Sequence, residues 1–381
     1  MPDVIALRRD IHANPELGLQ LPGTQQRILE ALTGLDLEIT RGEALTSVVA
    51  DLDTGRPGPT VLLRGDMDAL PLTEDSGEPF SSAVAGRMHA CGHDSHVAML
   101  VGAARVLSAN KDELNGRVRF MFQPGEEGFH GARLMIDEGV LDGVDRAFAI
   151  HVDTNLPAGV VASRPGALLA SSDELRITLT GRGGHASAPH HAVDPIPAAC
   201  ALVTALQTMV TREIAAFDPA VVTVAQIHGG TTGNIIPEAA YLEGTIRAVS
   251  EATRAKLHDS IARVGTGVAA AHNCTCEVDI TRGYPVTVNY AAEVDVIRAV
   301  AAATLGEGRY AEIAHPKMAA EDFSYVLQQV PGAMASLGVC PDGIDDPDDA
   351  ASLHSNRAVI NEAALPSGVA LYAAMASARS E

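Results

Sequence analysis

The sequence lacks the features of a membrane or secreted protein. No apolar run reaches the roughly 18 residues that a membrane-spanning helix requires. The first residues, Met1-Pro2-Asp3-Val4, show neither the basic segment nor the apolar segment of a signal peptide. We therefore expect a cytoplasmic protein.

Basic residues are also scarce. The chain has 27 Lys and Arg against 48 Asp and Glu, which gives a formal net charge of −21 at pH 7. This charge would repel the phosphate backbone of nucleic acids and the anionic lipids of a membrane surface. We expect neither partner, and we attribute most of the acidic residues to a solvated surface that aids solubility.

A disulfide framework is absent as well. The five cysteines are odd in number and scattered, at Cys91, Cys200, Cys274, Cys276 and Cys340. This usage is typical of a reducing compartment. The length of 381 residues is enough for about two or three domains.

Short apolar runs alternate with helical patterns over much of the chain. Helices are predicted at residues 3–13 and 24–34, with Thr24 suited to cap the second, and later at 293–305, 322–329 and 361–379. Strands are predicted at residues 47–50, 60–64, 117–122, 146–150 and 335–339. The alternation indicates an α/β domain, with a mixed, largely parallel sheet flanked by helices.

The densest chemistry lies in residues 88–96, which carry a thiol, three imidazoles and a carboxylate. Cys91 and His93 directly precede a helical pattern, so they would lie at a helix N-terminus, where unpaired N–H groups favour a thiolate. A metal ion in a protein usually needs about four ligands, so these two residues would supply only half of a site. From this segment alone, a metal site and a buried reduced cysteine are equally good interpretations. We expect His96 to point into the helix packing.

Further ligand-type side chains follow the ends of predicted strands. Such ends meet at one edge of an open α/β sheet, where these folds place their sites. Asp66 and Asp68 lie two apart in an extended segment and can face a common target. Singly, each residue is most often a cap or a surface residue. Together they supply one or two metal sites: Asp66, Asp68, Cys91, His93, Glu126, Glu127, His151 and His354.

The middle of the chain has a different pattern. A strand at 175–180, a helix at 194–215, strands at 220–228 and 239–249, a helix at 251–272 and a strand at 276–281 follow one another. This β-α-β-β-α-β order is typical of a ferredoxin-like α+β domain. We expect it to be an inserted domain, residues 172–283, between two parts of the sheet domain, residues 1–171 and 284–381. Its loops carry His185, Asn234 and Arg247.

Seven motifs in one order resemble the M20 metallopeptidase family. They are Arg64-Gly-Asp-Met-Asp-Ala-Leu-Pro71, His89-Ala-Cys-Gly-His-Asp94, Phe122-Gln-Pro-Gly-Glu-Glu127, Gly183-Gly-His-Ala-Ser187, Gly229-Gly-Thr-Thr-Gly-Asn-Ile-Ile-Pro237, Gly244-Thr-Ile-Arg247 and Ala320-Glu-Asp-Phe323. They are most similar to its amidohydrolase branch, which includes hippurate hydrolases, auxin-conjugate hydrolases and N-acyl-amino-acid deacylases. The resemblance covers essentially the whole chain.

The resemblance implies a catalytic domain that holds metal and a lid domain that often mediates dimerisation, so we expect a homodimer or a higher homo-oligomer. By position, it implies five metal ligands: Cys91, His93, Glu127, His151 and His354. It makes Glu126 the general base and Asp68 an aspartate that orients a ligand. It also assigns His185, Asn234 and Arg247 to the lid residues that contact the substrate.

The residue types suit these roles. Glu126 and Glu127 point apart in an extended segment, so that one can bind metal while the other takes a proton from the attacking water. His185 follows two glycines and can donate to an oxyanion, although a capping or core histidine would fit the same pattern. Arg247 can bind a substrate carboxylate, with Asn234 as a helper. A structural salt bridge is the alternative for Arg247.

These expectations describe a metal-dependent amidohydrolase for N-acyl-L-amino acids or related amides with a free carboxylate. One or two divalent ions are expected, Zn²⁺ first, with Mn²⁺, Co²⁺ or Ni²⁺ as alternatives. Phe129-His130 and Val152-Asp153-Thr154 replace a glycine-rich segment and an aromatic residue that are common in the family, which leaves the acyl preference open. The rivals are an aminopeptidase or dipeptidase of the same family, a catalytically silent binding protein, and a thiol enzyme at Cys91.

Overall fold

The computed structural model describes residues 1–378. Their contacts divide the chain into two compact units. Unit 1 comprises residues 1–166, residues 288–315 and the chain from 322 onward, and unit 2 comprises residues 167–287 and 316–321. The domain limits drawn from the sequence stay a prediction. No helix within the described residues is long and apolar enough to cross a membrane.

Strands and helices alternate along the chain. The strands are β1 (Glu38–Arg41), β2 (Val48–Asp53), β3 (Thr60–Asp66), β4 (Arg117–Gln123), β5 (Arg146–Asp153), β6 (Val161–Ser163), β7 (Gly166–Leu169), β8 (Asp173–Thr180), β9 (Gly184–His185), β10 (Ala220–Gly229), β11 (Ile235–Ile236), β12 (Ala239–Ala248), β13 (Thr275–Arg282), β14 (Thr287–Asn289), β15 (Tyr310–Glu312) and β16 (Gly332–Gly338). The α-helices are α1 (Pro2–Ala13), α2 (Pro22–Leu32), α3 (His93–Ala109), α4 (Gly131–Asp137), α5 (Pro195–Glu213), α6 (Glu251–Ala271), α7 (Ala291–Leu305), α8 (Ser324–Leu327) and α9 (Leu365–Ser377). Short 3₁₀ helices span Lys111–Glu113, Pro189–His191, Pro347–Asp349 and Glu362–Ala364.

Unit 1 is built on one mixed sheet, with the strand order β1-β2-β4-β3-β5-β16-β6-β15. Its centre is parallel, because β4, β3, β5 and β16 pair in the same direction. The pairs β1–β2, β2–β4 and β6–β16 are antiparallel. The predicted α/β class with a largely parallel sheet is therefore confirmed. The carboxyl ends of β3, β4 and β5 lie at one edge of the sheet, which we call the carboxyl edge.

Helix α3 runs through the core of unit 1. Nearly all of its residues from His93 to Ala104 are buried, and it packs against β3, α1 and α9. A helix that is apolar on all sides needs neighbours all round. Strand β3 is likewise buried along its length, as expected for a central parallel strand. The first residue of α3, His93, lies 3.4 Å from Asp66 at the end of β3, so this helix begins at the carboxyl edge.

Unit 2 contains an antiparallel sheet in the order β10-β12-β8-β13. Its chain order, β8-α5-β10-β12-α6-β13, is the predicted ferredoxin-like arrangement, which is thereby confirmed. Side chains of β8 alternate between buried and more exposed. The buried set, Leu175, Ile177 and Leu179, belongs to one apolar core with residues of α5 and α6.

Most predicted elements are present, with limits shifted by a few residues. The helix predicted at 322–329 is reduced to α8, Ser324–Leu327. The helix predicted at 361–379 is α9, and residue 379 lies outside the described residues. Helix α4 and strands β1, β6 and β15 were not predicted, because segments of three to seven residues give too little periodicity to detect.

The prediction that Thr24 caps α2 is wrong. The helix begins at Pro22 after Leu21, so Thr24 lies inside its first turn. The cap comes from a residue in the preceding turn: the carboxylate of Glu16 accepts the backbone N–H of Gly23 at 3.1 Å and of Thr24 at 2.7 Å. The Thr24 hydroxyl also donates to Glu16, at 2.9 Å. A carboxylate at a helix N-terminus also interacts well with the helix dipole.

We predict that Glu16→Ala lowers the free energy of unfolding by about 1 kcal/mol, because two N–H groups of the first turn lose their acceptor. Urea denaturation of the purified variant measures this change. Glu30→Ala, at an exposed position of the same helix, is the control and should change stability by less than about 0.5 kcal/mol. Equal stability of the two variants would contradict the capping role.

Candidate metal centre

Cys91 and His93 lie where a tight turn enters α3, as the sequence predicted. Gly92 between them has a left-handed backbone, with φ 83°, and a Cβ atom there would lie 2.4 Å from Val152 Cγ2. Only glycine fits this position without strain. The turn buries both the thiol of Cys91 and the imidazole of His93 at the carboxyl edge.

Two more histidines converge on Cys91. Its Sγ lies 3.5 Å from Nε2 of His151, at the end of β5, and 3.3 Å from Nε2 of His354, in the loop before α9. His151 uses its other nitrogen to donate to the Val152 carbonyl, at 2.7 Å, which leaves Nε2 as the acceptor in the neutral ring. His354 has a left-handed backbone, with φ 68°, and its N–H donates to the Ala90 carbonyl at 2.9 Å.

The glutamate pair lies beside the same group. Glu127 Oε1 is 3.2 Å from His354 Nε2. Three overlapping sets of side chains could each hold a metal ion, because the ligand atoms within each set lie within 4.8 Å of one another. The sets are Cys91, His93 and His151; Cys91, Glu127 and His354; and His93, Glu126 and Glu127. The structure thus brings all five predicted ligands and the predicted base into one cluster.

The donor set fits a divalent cation. Neither ring nitrogen of His93 forms a hydrogen bond with the described residues, although both are buried. Two carboxylates, Asp66 and Asp68, lie 3.4 Å and 3.5 Å from those nitrogens. A buried polar group without a hydrogen bond is costly. A metal ion bound to one nitrogen would satisfy it, while a carboxylate orients the ring through the other.

The local charges favour the thiolate of Cys91 and the carboxylate of Glu127, which are the forms of these groups that bind metal. Burial alone would raise the pKa of Cys91, but His93 and His151 lower it to about 6. Hydrogen bonds to Cys91 and Glu127 raise the pKa of His354 to about 10, so its imidazole must release a proton when it binds a metal. Burial raises the pKa of Glu127, yet the hydrogen bond from His354 brings it below its usual value. A thiolate and a carboxylate are therefore the forms present at neutral pH.

Asp68 holds the glutamate pair in place. Its Oδ1 accepts the backbone N–H of Glu126 at 2.9 Å, and its Oδ2 accepts that of Glu127 at 3.0 Å. Asp68 is buried, and its Oδ1 also lies beside His93. One carboxylate thus connects the loop that follows β4 with the first residue of α3.

A second layer of buried charges lies behind the ligands. The guanidinium of Arg64 donates to Asp66 at 2.7 Å, to Gln123 at 2.9 Å and to Asp322 at 3.0 Å. His96 shares a hydrogen bond with Asp66 through Nδ1, and its Nε2 accepts the N–H of Val152 at 2.9 Å. Both ring nitrogens of His96 therefore have partners at the ends of strands β3 and β5, and the ring does not point into the helix packing as expected.

The roles of Arg64, Gln123 and Asp322 are not among those predicted from the sequence. Each of these residues lies inside a motif whose other residues carry the predicted roles. Gln123 and Asp322 are 199 positions apart, and their amide and carboxylate meet at 2.8 Å. Arg64 itself was a usable signal in the sequence. It lies in a predicted buried strand, and a buried arginine requires buried carboxylates as partners.

Unit 2 brings His185 and Asn234 together. The short strands β9 and β11 pair so that His185 faces Ile235, and the N–H of Ala186 donates to the Asn234 carbonyl at 3.1 Å. His185 Nδ1 accepts the N–H of Ser187 at 3.1 Å. The neutral ring then carries its proton on Nε2, where it can donate to a ligand. Both side chains are exposed.

Arg247 lies at the opposite end of the same sheet. Strand β12 begins at Ala239, near β9 and β11, and the stretch from Ala239 to Arg247 spans roughly 26 Å of extended chain. The Arg247 guanidinium is half-buried and forms no hydrogen bond or ion pair with residues 1–378. The nearby carboxylate of Asp173 acts on its charge but is bound to Arg254, so the alternative of a structural salt bridge has no direct partner among these residues. The structure therefore does not bring Arg247 together with His185 and Asn234.

The chain matches known proteins over nearly its whole length. The model of peptidase family M20/M25/M40 matches residues 62–378. The chain belongs to this family. It is 40% identical to thermostable carboxypeptidase 2 of Saccharolobus solfataricus, over 98% of this chain and 94% of that protein. It is also 40% identical to IAA-amino acid hydrolase ILR1-like 2 of Arabidopsis thaliana, over 98% of this chain and 84% of that protein.

A solved structure of the family shares the fold. The Bacillus subtilis YXEP protein, described as a dinuclear metal binding peptidase from the M20 family, superposes with a TM-score of 0.87 at 32% identity, covering 99% of this chain and 97% of that one. The family M20 membership and the clustered ligands together identify this protein as a metal-dependent hydrolase of amide bonds. The rival interpretation as a thiol enzyme is thereby set aside.

We predict that Asp68→Asn weakens metal binding roughly 10- to 100-fold, because an amide cannot accept both N–H groups of the glutamate pair and orient His93. Competition with a chromophoric chelator measures the affinity of the purified protein. The control is Asp145→Asn, since Asp145 also accepts a backbone N–H, that of Thr60 at 2.8 Å, at the start of β3. Equal metal affinity in both variants would contradict the role of Asp68.

Proposed function

We propose that this M20-family hydrolase cleaves the amide bond of N-acyl-L-amino acids, or of related conjugates with a free carboxylate. The observation that carries the proposal is the convergence of Cys91, His93, Glu127, His151 and His354 around one point of the carboxyl edge. One relative is named a carboxypeptidase and another an IAA-amino acid hydrolase, and both names support a substrate that contains an amino acid.

Two divalent ions fit the ligand set best. Each pair of the three clusters has one member in common, Cys91, His93 or Glu127, so that two neighbouring ions could divide the five ligands between them. Zn²⁺ suits a mixture of one thiolate with imidazoles and a carboxylate, and Mn²⁺, Co²⁺ and Ni²⁺ are alternatives. When bound, such ions lower the pKa of water and polarise the substrate carbonyl.

The protein side chains complete the chemistry. Glu126 is buried beside the ligands and has its backbone fixed by Asp68, which suits a base that takes a proton from water and delivers it to the leaving amine. His185 offers Nε2–H to the oxyanion of the tetrahedral intermediate, with Asn234 beside it. Arg247, which has no described ion-pair partner, offers its guanidinium to the substrate carboxylate.

A second copy of the chain is part of this proposal. A small substrate cannot contact His185 and Arg247 of one chain, because the sheet of unit 2 separates them. Strand β10 is an edge strand of that sheet, and it carries no Asp, Glu, Lys or Arg, whereas the other edge, β13, carries Glu277 and Asp279. An uncharged edge is suited to pair with another chain. A homodimer through unit 2 would supply His185 from one chain and Arg247 from the other. The cytoplasmic location stays a prediction.

We predict that Glu126→Gln binds metal as well as wild type but loses turnover by roughly 10²- to 10⁴-fold, because an amide cannot carry the proton. The assays are metal content and hydrolysis of an N-acetyl amino acid, with an unblocked dipeptide as the comparison substrate. Glu43→Gln, at an exposed position, is the control. Retained turnover would remove Glu126 as the base, and preference for the dipeptide would favour an aminopeptidase or dipeptidase.

We predict that His185→Ala and Glu126→Gln, each inactive alone, regain activity when they are mixed and allowed to exchange subunits. About one quarter of wild-type activity is expected, since half of the random dimers then contain one complete site. Sedimentation analysis of each variant checks that both are dimers. A mixture that stays inactive despite exchange would show that each chain uses its own His185.

A further inference from the structure

A buried ionic cluster that the mechanism does not use lies where α1 meets α3. Arg8 and His12 are one turn apart on α1, and both bind Oδ2 of Asp94, from Arg8 Nε at 2.8 Å and from His12 Nδ1 at 2.9 Å. Asp94 directly follows His93 and is fully buried. Two side chains of the N-terminal helix therefore bind the first turn of α3.

The cluster extends to two further segments. His12 Nε2 lies 3.1 Å from Glu74, in the loop after β3, and Arg8 Nη1 donates to Glu362, at the start of the last 3₁₀ helix, at 2.9 Å. Burial alone would lower the pKa of His12, but Asp94 and Glu74 raise it to about 9, so the ring is a cation at neutral pH. Two cations thus hold three carboxylates from three separate segments.

Stability alone does not account for this arrangement. Burying charges is costly, and an apolar cluster of the same size would often be at least as stable. The position of the cluster offers a better reason. The residue before α3 is Gly92, which provides no side-chain cap for the first turn. His96 holds that turn on the side of the sheet, through Asp66 and the Val152 N–H, and the bonds from Arg8 and His12 to Asp94 hold it on the side of α1.

We propose that Arg8 and His12 are positioning residues of the metal centre, which act through Asp94 to set the first turn of α3 and, with it, Cys91 and His93. Two of the five ligands, Cys91 and His93, then depend on a helix that begins at Pro2. This inference rests on the proposed metal role of Cys91 and His93, and it adds α1 as a structural part of the site.

The test uses His12→Gln and Arg8→Met in the full chain. Gln keeps a donor but loses the charge and the second contact, and Met keeps the length of Arg without any donor. The matched control is Arg146→Met, because Arg146 is another buried arginine bound to a carboxylate, Glu293, at 3.0 Å, and lies at the start of β5, away from the carboxyl edge. Thermal unfolding of the metal-free proteins measures how far each substitution destabilises the fold.

The deciding readouts are the Zn²⁺ affinity and the spectrum of the Co²⁺-loaded protein, whose thiolate-to-metal absorption reports the Cys91 bond. We expect His12→Gln and Arg8→Met to weaken Zn²⁺ binding about 10- to 100-fold and to reduce that absorption. Arg146→Met, at a similar loss of thermal stability, should leave both unchanged.

Three outcomes would overturn the inference. The first is a Zn²⁺ affinity of His12→Gln equal to that of the wild type. His12→Gln is the milder substitution, so this measurement can still be made if Arg8→Met does not fold. An equal loss of affinity in Arg146→Met would show that the effect is general destabilisation. A wild-type protein that binds no metal would overturn the proposed function first, and the inference with it.

Discussion

The carboxyl edge of unit 1 depends on the hydrogen bonds and ion pairs that the Arg64 guanidinium forms. This side chain is 1% exposed and lies between two buried carboxylates, Asp66 and Asp322. Burial raises the pKa of Asp66, but Arg64 and the nearby histidines hold it well below its usual value. Removing one partner of such a buried pair typically costs about 3–5 kcal/mol. Because Asp66 stays ionised, it can orient both His93, a proposed metal ligand, and His96, which lies behind the ligands.

The positions of the proposed ligands are set largely by the backbone. One carboxylate, Asp68, accepts the N–H groups of both Glu126 and Glu127, so the base and its neighbouring ligand cannot move independently. The Val152 carbonyl selects the tautomer of His151, and the N–H of Ser187 selects that of His185. Main-chain groups are rigid where strands and turns hold them, which is the pre-organisation that a hydrolytic site requires.

Short sequence patterns predicted the features that depend on neighbouring residues, such as the secondary structure and the fold class. The α/β and ferredoxin-like classes follow from periodicity. The gathering of Glu127 and His151 follows from their places near strand ends, and that of Cys91 from its place before α3. Contacts between distant segments were beyond such patterns. Arg8 and Asp94 are 86 positions apart, and nothing in either segment names the other. The error over Thr24 has a different, local cause: the Glu16 carboxylate, 8 positions earlier, accepts the N–H groups of the first turn in place of a side chain next to the helix.

The left-handed residue His354 joins a loop near the end of the chain to Cys91, 263 positions earlier. Closing so long a segment costs conformational entropy, which the ligand cluster must offset. During synthesis on the ribosome, Cys91, His93, Glu127 and His151 emerge well before His354. A nascent chain therefore exposes an incomplete set of ligands until His354 has been made. All strands of the unit 1 sheet precede His354 in the chain, so the ligand cluster is completed only after the sheet that supports it has been synthesised.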